Sequence, residues 1–223
     1  MQRTNGLKEH CDRCLNTERW NGSVVLMVLD AAFTSIGLNY FTCVVPKVME
    51  FKDKLVSSGS PQSLGDLSIL SQEEVQDIWR NKRSWQVARS IASYLNDLAG
   101  RMNIDDKEAL RLWSASSCFK EWRKDPVGSI TGVGVVTFQY LRMMGGIDTA
   151  MPDKIVRKVV KQMLEEAGSK MPVEDDMELI ATIGRMSQIA DYRPIEICWM
   201  TWLIQSEGSL TRDIKNRDLL RLI

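Results

Sequence analysis

Apolar residues recur along most of this chain at the spacing of an α-helix. Val87, Ile91, Leu95 and Leu98 fall at positions i, i+4, i+8 and i+11, so they share one face of a helix. Residues 24–32 are apolar almost all the way round, as is typical of a central buried helix. No alternation of apolar and polar residues is long enough to demand a β-sheet. The pattern therefore predicts an all-α protein with about ten short helices.

Local signals indicate where some of these helices begin. Ser71 and Glu74 have the spacing of a capping box, which predicts a helix that continues through Trp79. The apolar stretch Ile195–Leu203 is typical of a buried closing helix and not of a binding segment. We expect one unit, residues 1–223, made of two helical lobes: a central lobe at about 36–145 and a terminal lobe at about 1–35 and 146–223.

Composition excludes few classes of protein. The chain has 29 basic and 29 acidic residues, so its net charge neither supports nor excludes a nucleic-acid partner. Its longest apolar run, Val24–Leu29, is too short to span a bilayer, and we expect no contact with a membrane. Five irregularly spaced cysteines fit a reducing compartment, either the cytoplasm of a prokaryote or the nucleus of a eukaryote. We expect a monomer.

One short segment resembles half of a zinc site. His10, Cys11 and Cys14 have suitable ligand types and spacing. A second half is missing, because the chain has no other histidine and the remaining cysteines are isolated, at Cys43, Cys118 and Cys198. The sequence therefore predicts no metal site.

The most informative segment is a Gly-Val-Gly hairpin that leads directly into an apolar helix. Gly132 and Gly134 permit close approach of the backbone, and the helix predicted at 135–143 directs its free N–H groups to the same point. A helix predicted at Ser117–Lys124 would make the unit helix–hairpin–helix. This geometry suits a DNA phosphate, although a tight turn with Val133 packed inside explains it too. The predicted phosphate-binding residues are Thr131, Gly132, Val133, Gly134 and Arg157.

A single carboxylate follows the hairpin at a defined distance. Asp153 lies nineteen residues after Gly134 and at the start of a helix predicted at Ile155–Leu164. It is a candidate catalytic acid, but an aspartate here is also a common N-cap, and the two roles can coexist. The helix after it carries a basic face, which is either a phosphate contact or a solvated surface, with Lys154, Arg157 and Lys161. A second basic turn, with Arg80, Lys82 and Arg83, could contact the same DNA backbone.

Taken together, residues 132–137, the following helix and Asp153 resemble the helix–hairpin–helix (HhH-GPD) DNA glycosylases. That superfamily includes endonuclease III, adenine glycosylase, 8-oxoguanine glycosylase and the bacterial 3-methyladenine glycosylase. Upstream, Asp30–Asn39 looks like the segment of endonuclease III that ends a helix and inserts a loop into DNA, and Lys82–Leu95 looks like a further helix of the family. The resemblance covers most of residues 20–165. Residues 167–223 match no named subfamily, and their role stays open.

The resemblance implies a two-lobed glycosylase fold and hydrolysis of the N-glycosidic bond of a damaged or mispaired base in double-stranded DNA. Asp153 would stabilise the sugar cation and position water. Val136 replaces the lysine that attacks the sugar in bifunctional members, and Lys154 is expected to point away from Asp153, so no lyase activity is expected. The family can bind a monovalent cation on its hairpin carbonyls. An iron–sulfur cluster is not expected, because the four-cysteine loop is missing.

For the remaining candidate site residues the sequence leaves alternative roles. Phe33, in a loop predicted at Ala32–Ser35, is a candidate wedge that fills the gap left by a flipped base, although a core position is the alternative. Asp30 either caps its helix or enters the pocket. Tyr140, Trp85 or Trp20 could line that pocket. Two other functions also fit the sequence: a non-catalytic DNA-binding module and a helical protein-interaction domain. The target base is not indicated.

Overall fold

A computed structural model describes residues 6–206, and their side chains as far as Leu203. Within this range the protein is predominantly helical and contains no β-strand, so the all-α prediction is confirmed. The outer parts of the predicted terminal lobe, residues 1–5 and 207–223, lie outside the described residues.

The α-helices are α1 Leu7–Leu15, α2 Val24–Thr34, α3 Val45–Lys54, α4 Leu64–Ile69, α5 Gln72–Val75, α6 Lys82–Met102, α7 Asp106–Ser116, α8 Val135–Met144, α9 Lys154–Glu166, α10 Asp176–Ala190 and α11 Pro194–Ser206. Shorter turns are 3-10 helices at Arg19–Gly22, Val56–Ser58 and Phe119–Lys124, and a π-helix at Tyr40–Val44.

Side-chain caps start several of these helices. The capping box of Ser71 and Glu74 forms as predicted, because each side chain accepts a hydrogen bond from the other residue's backbone N–H. The helix that it opens is shorter than predicted: α5 ends at Val75, and a turn carries the chain on to Trp79. Complete capping boxes also open α4, α7 and α10, at Ser63, Asp105 and Asp175.

Helix α2 forms the centre of the core. All its residues from Val24 to Phe33 are buried, and it packs against α6, α8 and α3. The apolar stripe of α6 faces α2, with Val87, Ile91 and Leu95 fully buried. Helix α6 therefore buries one apolar face and α2 buries its whole circumference, as their sequence patterns predict.

The remaining helices fall into two groups around α2. Helices α4 and α7 pack against α6, whereas α9 and α10 pack against α11, which also contacts α1. Helix α8 touches α1, α2 and α7 and so connects the two groups. This arrangement brings the starts of α8 and α9 next to the end of α2. None of the described helices is both long and apolar enough to cross a membrane.

The segment before the hairpin is not the regular helix that we predicted at Ser117–Lys124. It forms a 3-10 helix, Phe119–Lys124, which is broken at Glu121 with φ −115° and ψ 21°. Pro126 cannot continue a helical hydrogen-bond ladder, and Asp125 instead accepts hydrogen bonds from the N–H groups of the following turn. The chain therefore enters the hairpin through a capped turn.

The wedge prediction for Phe33 is wrong. Helix α2 continues through Thr34, so Phe33 lies in a helix and not in a loop. Its ring is 0% exposed and stacks on Trp79, with 3.9 Å between ring centroids and 7° between ring planes. Because α2 continues past Phe33, the ring faces the segment that follows α5 and packs in the core instead of lying at the surface.

The Phe33→Ala substitution should lower the free energy of unfolding by about 3–5 kcal/mol, because it removes a fully buried ring and leaves a cavity beside Trp79. Urea unfolding followed by tryptophan fluorescence measures the change. Ile69→Ala is the matched control, since Ile69 is 77% exposed and its loss should change stability by only about 0.5 kcal/mol. Equal effects of the two substitutions would contradict the core position of Phe33.

Candidate active site

A cavity of about 420 Å³ opens where the end of α2, the start of α8, the start of α9 and helix α11 meet. Its volume lies in the range of small-molecule sites, and its wall is mostly apolar and aromatic. Three of the predicted site residues border it together: Gly134, Tyr140 and Asp153. The remaining lining residues are Thr34, Ser35, Gly37, Leu38, Tyr40, Val135, Val136, Thr137, Met151, Pro152, Lys154, Ile155, Trp199 and Trp202.

The hairpin depends on the absence of a side chain at Gly132. Its φ is +100°, and an added Cβ would lie 2.8 Å from Cγ2 of Val87 and 3.3 Å from Nε of Arg83. Val133 donates from its backbone N–H to the carbonyl of Ile130 at 2.9 Å, and its side chain is buried. The packed-turn interpretation is therefore correct for Val133, while Thr131 and Gly134 remain exposed.

Gly134 is the N-cap of α8, and its side of the hairpin faces the cavity. The first N–H groups of a helix have no partner within that helix, and the helix dipole places partial positive charge at the same end. The start of α8 therefore presents backbone donors beside the cavity. This is the geometry that an anionic group requires.

Asp153 has the N-cap role that its sequence position suggested, and only one of its two carboxylate oxygens is used for it. Its Oδ1 accepts a hydrogen bond from the N–H of Val156 at 2.8 Å, which makes it the N-cap of α9. Its Oδ2 is buried and forms no hydrogen bond with the described residues. Burial raises the pKa of this carboxyl above its usual range, while the backbone N–H groups of Val156 and Ile155 and the indole of Trp202 act in the opposite direction. One oxygen thus caps the helix, while the other is buried and takes no part in the cap.

A buried network lies behind the cavity. Oδ2 of Asp30 accepts hydrogen bonds from Nη2 of Arg19 at 3.1 Å, from Nε1 of Trp20 at 2.9 Å and from the hydroxyls of Tyr40 at 3.0 Å and Tyr140 at 2.8 Å. The two hydroxyls lie 2.9 Å apart. Asp30 therefore neither caps α2 nor borders the cavity; it holds two of the cavity's aromatic walls in place.

The charges in this network are matched. Burial raises the pKa of Asp30, but all its partners are donors, so it is bound as a carboxylate opposite the Arg19 guanidinium. Burial also raises the pKa of Tyr40 and Tyr140, which keeps both phenols neutral. The guanidinium lies over the rings of Tyr140 and Trp199, at 5.6 Å and 5.2 Å from their centroids.

Sequence reasoning missed three aromatic lining residues and misplaced two others. Tyr40 lies in the π-helix, and Trp199 and Trp202 lie on α11, which we predicted to be a closing helix without a binding role. Helix α11 is indeed buried, but the i, i+3 spacing of its two tryptophans puts both at the cavity. Trp85 instead packs against Phe51 in the core, and Trp20 belongs to the buried network.

Arg157, which the sequence predicted to bind phosphate, is engaged within the protein. Its guanidinium donates to the carbonyls of Val173 and Asp175 and pairs with Asp176 at 2.6 Å. It therefore joins α9 to the start of α10. Another basic residue of the same face, Lys161, pairs with Glu174 at 3.4 Å. Much of the basic face is used within the protein because acidic residues of the following segment fold back onto it.

The position expected to hold a lyase lysine, Val136, borders the cavity with an apolar side chain. Lys154 borders it as well. Asp153 precedes the first helical turn, so the rule that neighbouring helical side chains diverge does not apply to this pair. The cavity edge thus includes a lysine next to Asp153.

Residues from the segment that resembled half of a zinc site pack in the interior. His10, Cys11 and Cys14 are all buried, and the His10 ring meets Trp199 edge-on at 4.4 Å between ring centroids. Burial raises the pKa of both thiols, which keeps them protonated. Among the described residues no three histidine, cysteine or acidic side chains are grouped so that they could hold a metal ion.

The cavity combines a carboxylate oxygen in apolar surroundings, backbone N–H groups and flat aromatic walls. Such a set can stabilise a developing positive charge next to a planar ring and a phosphate. Comparison of the chain with protein-family models, curated proteins and solved structures found no match. The chemistry of the site is therefore inferred from the residues of this chain.

The Asp30→Asn substitution should lower the free energy of unfolding by about 3–5 kcal/mol, because it leaves the Arg19 charge buried without a counter-charge. Thermal and urea unfolding measure the loss. Asp97→Asn, at an exposed position of α6, serves as the control and should leave stability nearly unchanged. A variant as stable as the wild type would show that the network is not structurally important.

Proposed function

We propose that this protein is a DNA glycosylase of the helix–hairpin–helix type that hydrolyses the N-glycosidic bond of a damaged or mispaired base. One observation carries the proposal: the carboxylate of Asp153 and the hairpin end at Gly134 border the same cavity. The proposed reaction needs a group that holds the DNA backbone and a catalytic acid on the same face of the protein. Their proximity is what the sequence spacing had suggested.

The helix packing supports the two-lobed arrangement that the resemblance implies. Helix α1 from one end of the chain packs with α11 from the other, as a terminal lobe at 1–35 and 146–223 requires. Helices α4, α6 and α7 pack together, as a central lobe at 36–145 requires. Helix α2 is shared, since it packs most extensively against α6 of the central group.

In the proposed reaction the bond between C1′ of the sugar and the base nitrogen breaks. The electron pair leaves with the base, and positive charge builds up on the sugar. The free Oδ2 of Asp153 stabilises that charge, and its interaction is strengthened by the apolar surroundings of the cavity. Water then adds to C1′ and releases its proton to the carboxylate or to solvent, which leaves an intact abasic site.

The aromatic walls have a separate task, which is to hold the extruded base. Tyr40, Tyr140, Trp199 and Trp202 border the cavity, and stacking on aromatic side chains is a general way to hold a flipped base. The hydroxyls of Tyr40 and Tyr140 are engaged by Asp30, so these rings contribute mainly their faces.

We propose that the protein acts as a monomer where DNA is located, in the cytoplasm of a prokaryote or the nucleus of a eukaryote.

Asp153→Asn should reduce base release from duplex DNA by about 100-fold to 1,000-fold, because the amide cannot stabilise a cation as a carboxylate does. The assay is a panel of duplexes with uracil, thymine mispairs, 8-oxoguanine, hypoxanthine or alkylated purines, each analysed before and after alkali. Asp175→Asn is the matched control: Asp175 is likewise an N-cap that accepts a backbone N–H at 2.8 Å, but it does not border the cavity. This control separates loss of a helix cap from loss of catalysis.

The panel also separates the alternatives. Salt-sensitive DNA binding without base release by the wild type would indicate a non-catalytic DNA-binding module. Absence of any binding would favour a protein-interaction domain. Strand cleavage without alkali that disappears in Lys154→Ala would assign lyase chemistry to Lys154 and contradict the monofunctional proposal that rests on Val136.

The phosphate contact proposed for the hairpin includes a basic residue other than Arg157. The Arg83 side chain lies against Gly132, with Nε 3.3 Å from the position of an added Cβ. Arg83 is exposed and forms no ion pair in the part of the chain that the structure describes. It is therefore available beside the backbone donors at the start of α8, where a phosphate would sit.

Arg83→Ala should weaken DNA binding and reduce the slope of log affinity against log salt concentration by about one, because one phosphate contact is lost. Fluorescence anisotropy of a labelled duplex at several salt concentrations measures the slope. Arg101→Ala, at the opposite end of α6, is the matched control. Arg157→Ala should weaken the packing of α9 on α10 without changing the slope. A slope that changes with Arg157 and not with Arg83 would contradict this assignment.

A further inference from the structure

Two buried polar atoms beside the cavity have no hydrogen-bond partner and are chemically complementary. One is Oδ2 of Asp153, which is an acceptor, and the other is Nε1 of Trp202, which is a donor. Both residues border the cavity, and their helices α9 and α11 pack against each other. A buried donor or acceptor without a partner costs free energy, so two such atoms at one site require an explanation.

The indole of Trp202 lies next to the Asp153 carboxyl. Burial raises the pKa of this carboxyl, and the indole is one of the groups that lower it. Cys198 lies one helical turn before Trp202 on α11; burial raises the pKa of its thiol, and the charge of Asp153 raises it further. One face of α11 is therefore turned towards Asp153. The indole N–H stops short of regular hydrogen-bond geometry, as donors to catalytic groups often do before substrate binds.

The other titratable groups that face Asp153 leave this position to Trp202. Lys154 forms no ion pair with any residue whose side chain the structure describes. The Cys198 thiol is neutral, because burial raises its pKa. The two phenols of the cavity wall are also neutral and are held by the buried network behind them. The indole N–H is therefore the donor best placed for the second carboxylate oxygen.

We propose that Trp202 is a positioning residue for the proposed reaction: its indole N–H donates to Oδ2 of Asp153 and fixes the direction in which the carboxylate faces the sugar. The inference rests on the proposed function, since it assigns Trp202 to the same site. Oδ1 is already held by the N–H of Val156, so a second donor fixes the plane of the carboxylate. Oδ2 keeps another lone pair for the sugar, and an indole N–H, which can only donate, favours the charged carboxylate.

The test begins with Trp202→Phe, which keeps an aromatic wall and removes the N–H. In single-turnover base release from duplex DNA, the acid limb of the pH profile should move to higher pH by about one unit, because the carboxylate loses a donor. At a pH below that limb the rate should fall about tenfold relative to the wild type. Trp199→Phe is the matched control: its Nε1 is also buried without a partner beside the cavity, but it does not act on Asp153. This control should leave the limb where it is, whatever it does to the rate.

A titration without DNA measures the contact directly. The 13C signal of the Asp153 carboxyl, identified by its absence in Asp153→Asn, should titrate at a higher pKa in Trp202→Phe than in the wild type. In the Asp153→Asn background, Trp202→Phe should change the rate of base release by less than about twofold, since no carboxylate remains to be positioned.

Three results would overturn the inference and leave the proposed function intact. They are an unchanged titration in Trp202→Phe, a slower reaction with an unmoved acid limb, and an equal movement of the limb in Trp199→Phe. The second result would make Trp202 only a wall for the base, and the third would assign the effect to the packing of α11 in general. Absence of base release by the wild type would overturn the proposed function, and with it the role of Trp202 in the reaction, even if the titration moved as expected.

Discussion

The buried ion pair between Arg19 and Asp30 is the interaction on which the rest of the structure depends. Both side chains are completely removed from solvent, and Trp20, Tyr40 and Tyr140 add three more donors to the same carboxylate oxygen. These residues come from the 3-10 helix at 19–22, from α2, from the π-helix at 40–44 and from α8. A buried pair is costly when it is incomplete, so this one requires four segments to meet in a single arrangement.

That arrangement also shapes the cavity. With their hydroxyls fixed on Asp30, Tyr40 and Tyr140 contribute aromatic walls in defined orientations, and the guanidinium of Arg19 supports the rings of Tyr140 and Trp199 from behind. The charged network stays outside the cavity, which keeps the surroundings of Asp153 largely apolar. A carboxylate in such surroundings interacts more strongly with a developing positive charge than it would in water.

Several residues at the site combine a structural role with a proposed chemical one. Asp153 caps α9 with one oxygen and leaves the other free, and the hairpin buries Val133 while it exposes Gly134. The structural and functional interpretations of these positions are therefore not exclusive. Both groups belong to helix starts, and the start of α9 is held by the Asp153 cap itself.

The sequence by itself determined the all-α class, the buried helix α2, the apolar stripe of α6 and the start of α9 at Asp153, because these features depend on local periodicity and capping. Only the tertiary structure decided which partner each side chain meets. Phe33 stacks on Trp79, Arg157 is taken up by the start of α10, and Tyr40, Trp199 and Trp202 reach the cavity from distant parts of the chain. Periodicity tells which face of a helix is buried but not what covers it, and these pairings depend on long-range packing that no local pattern encodes.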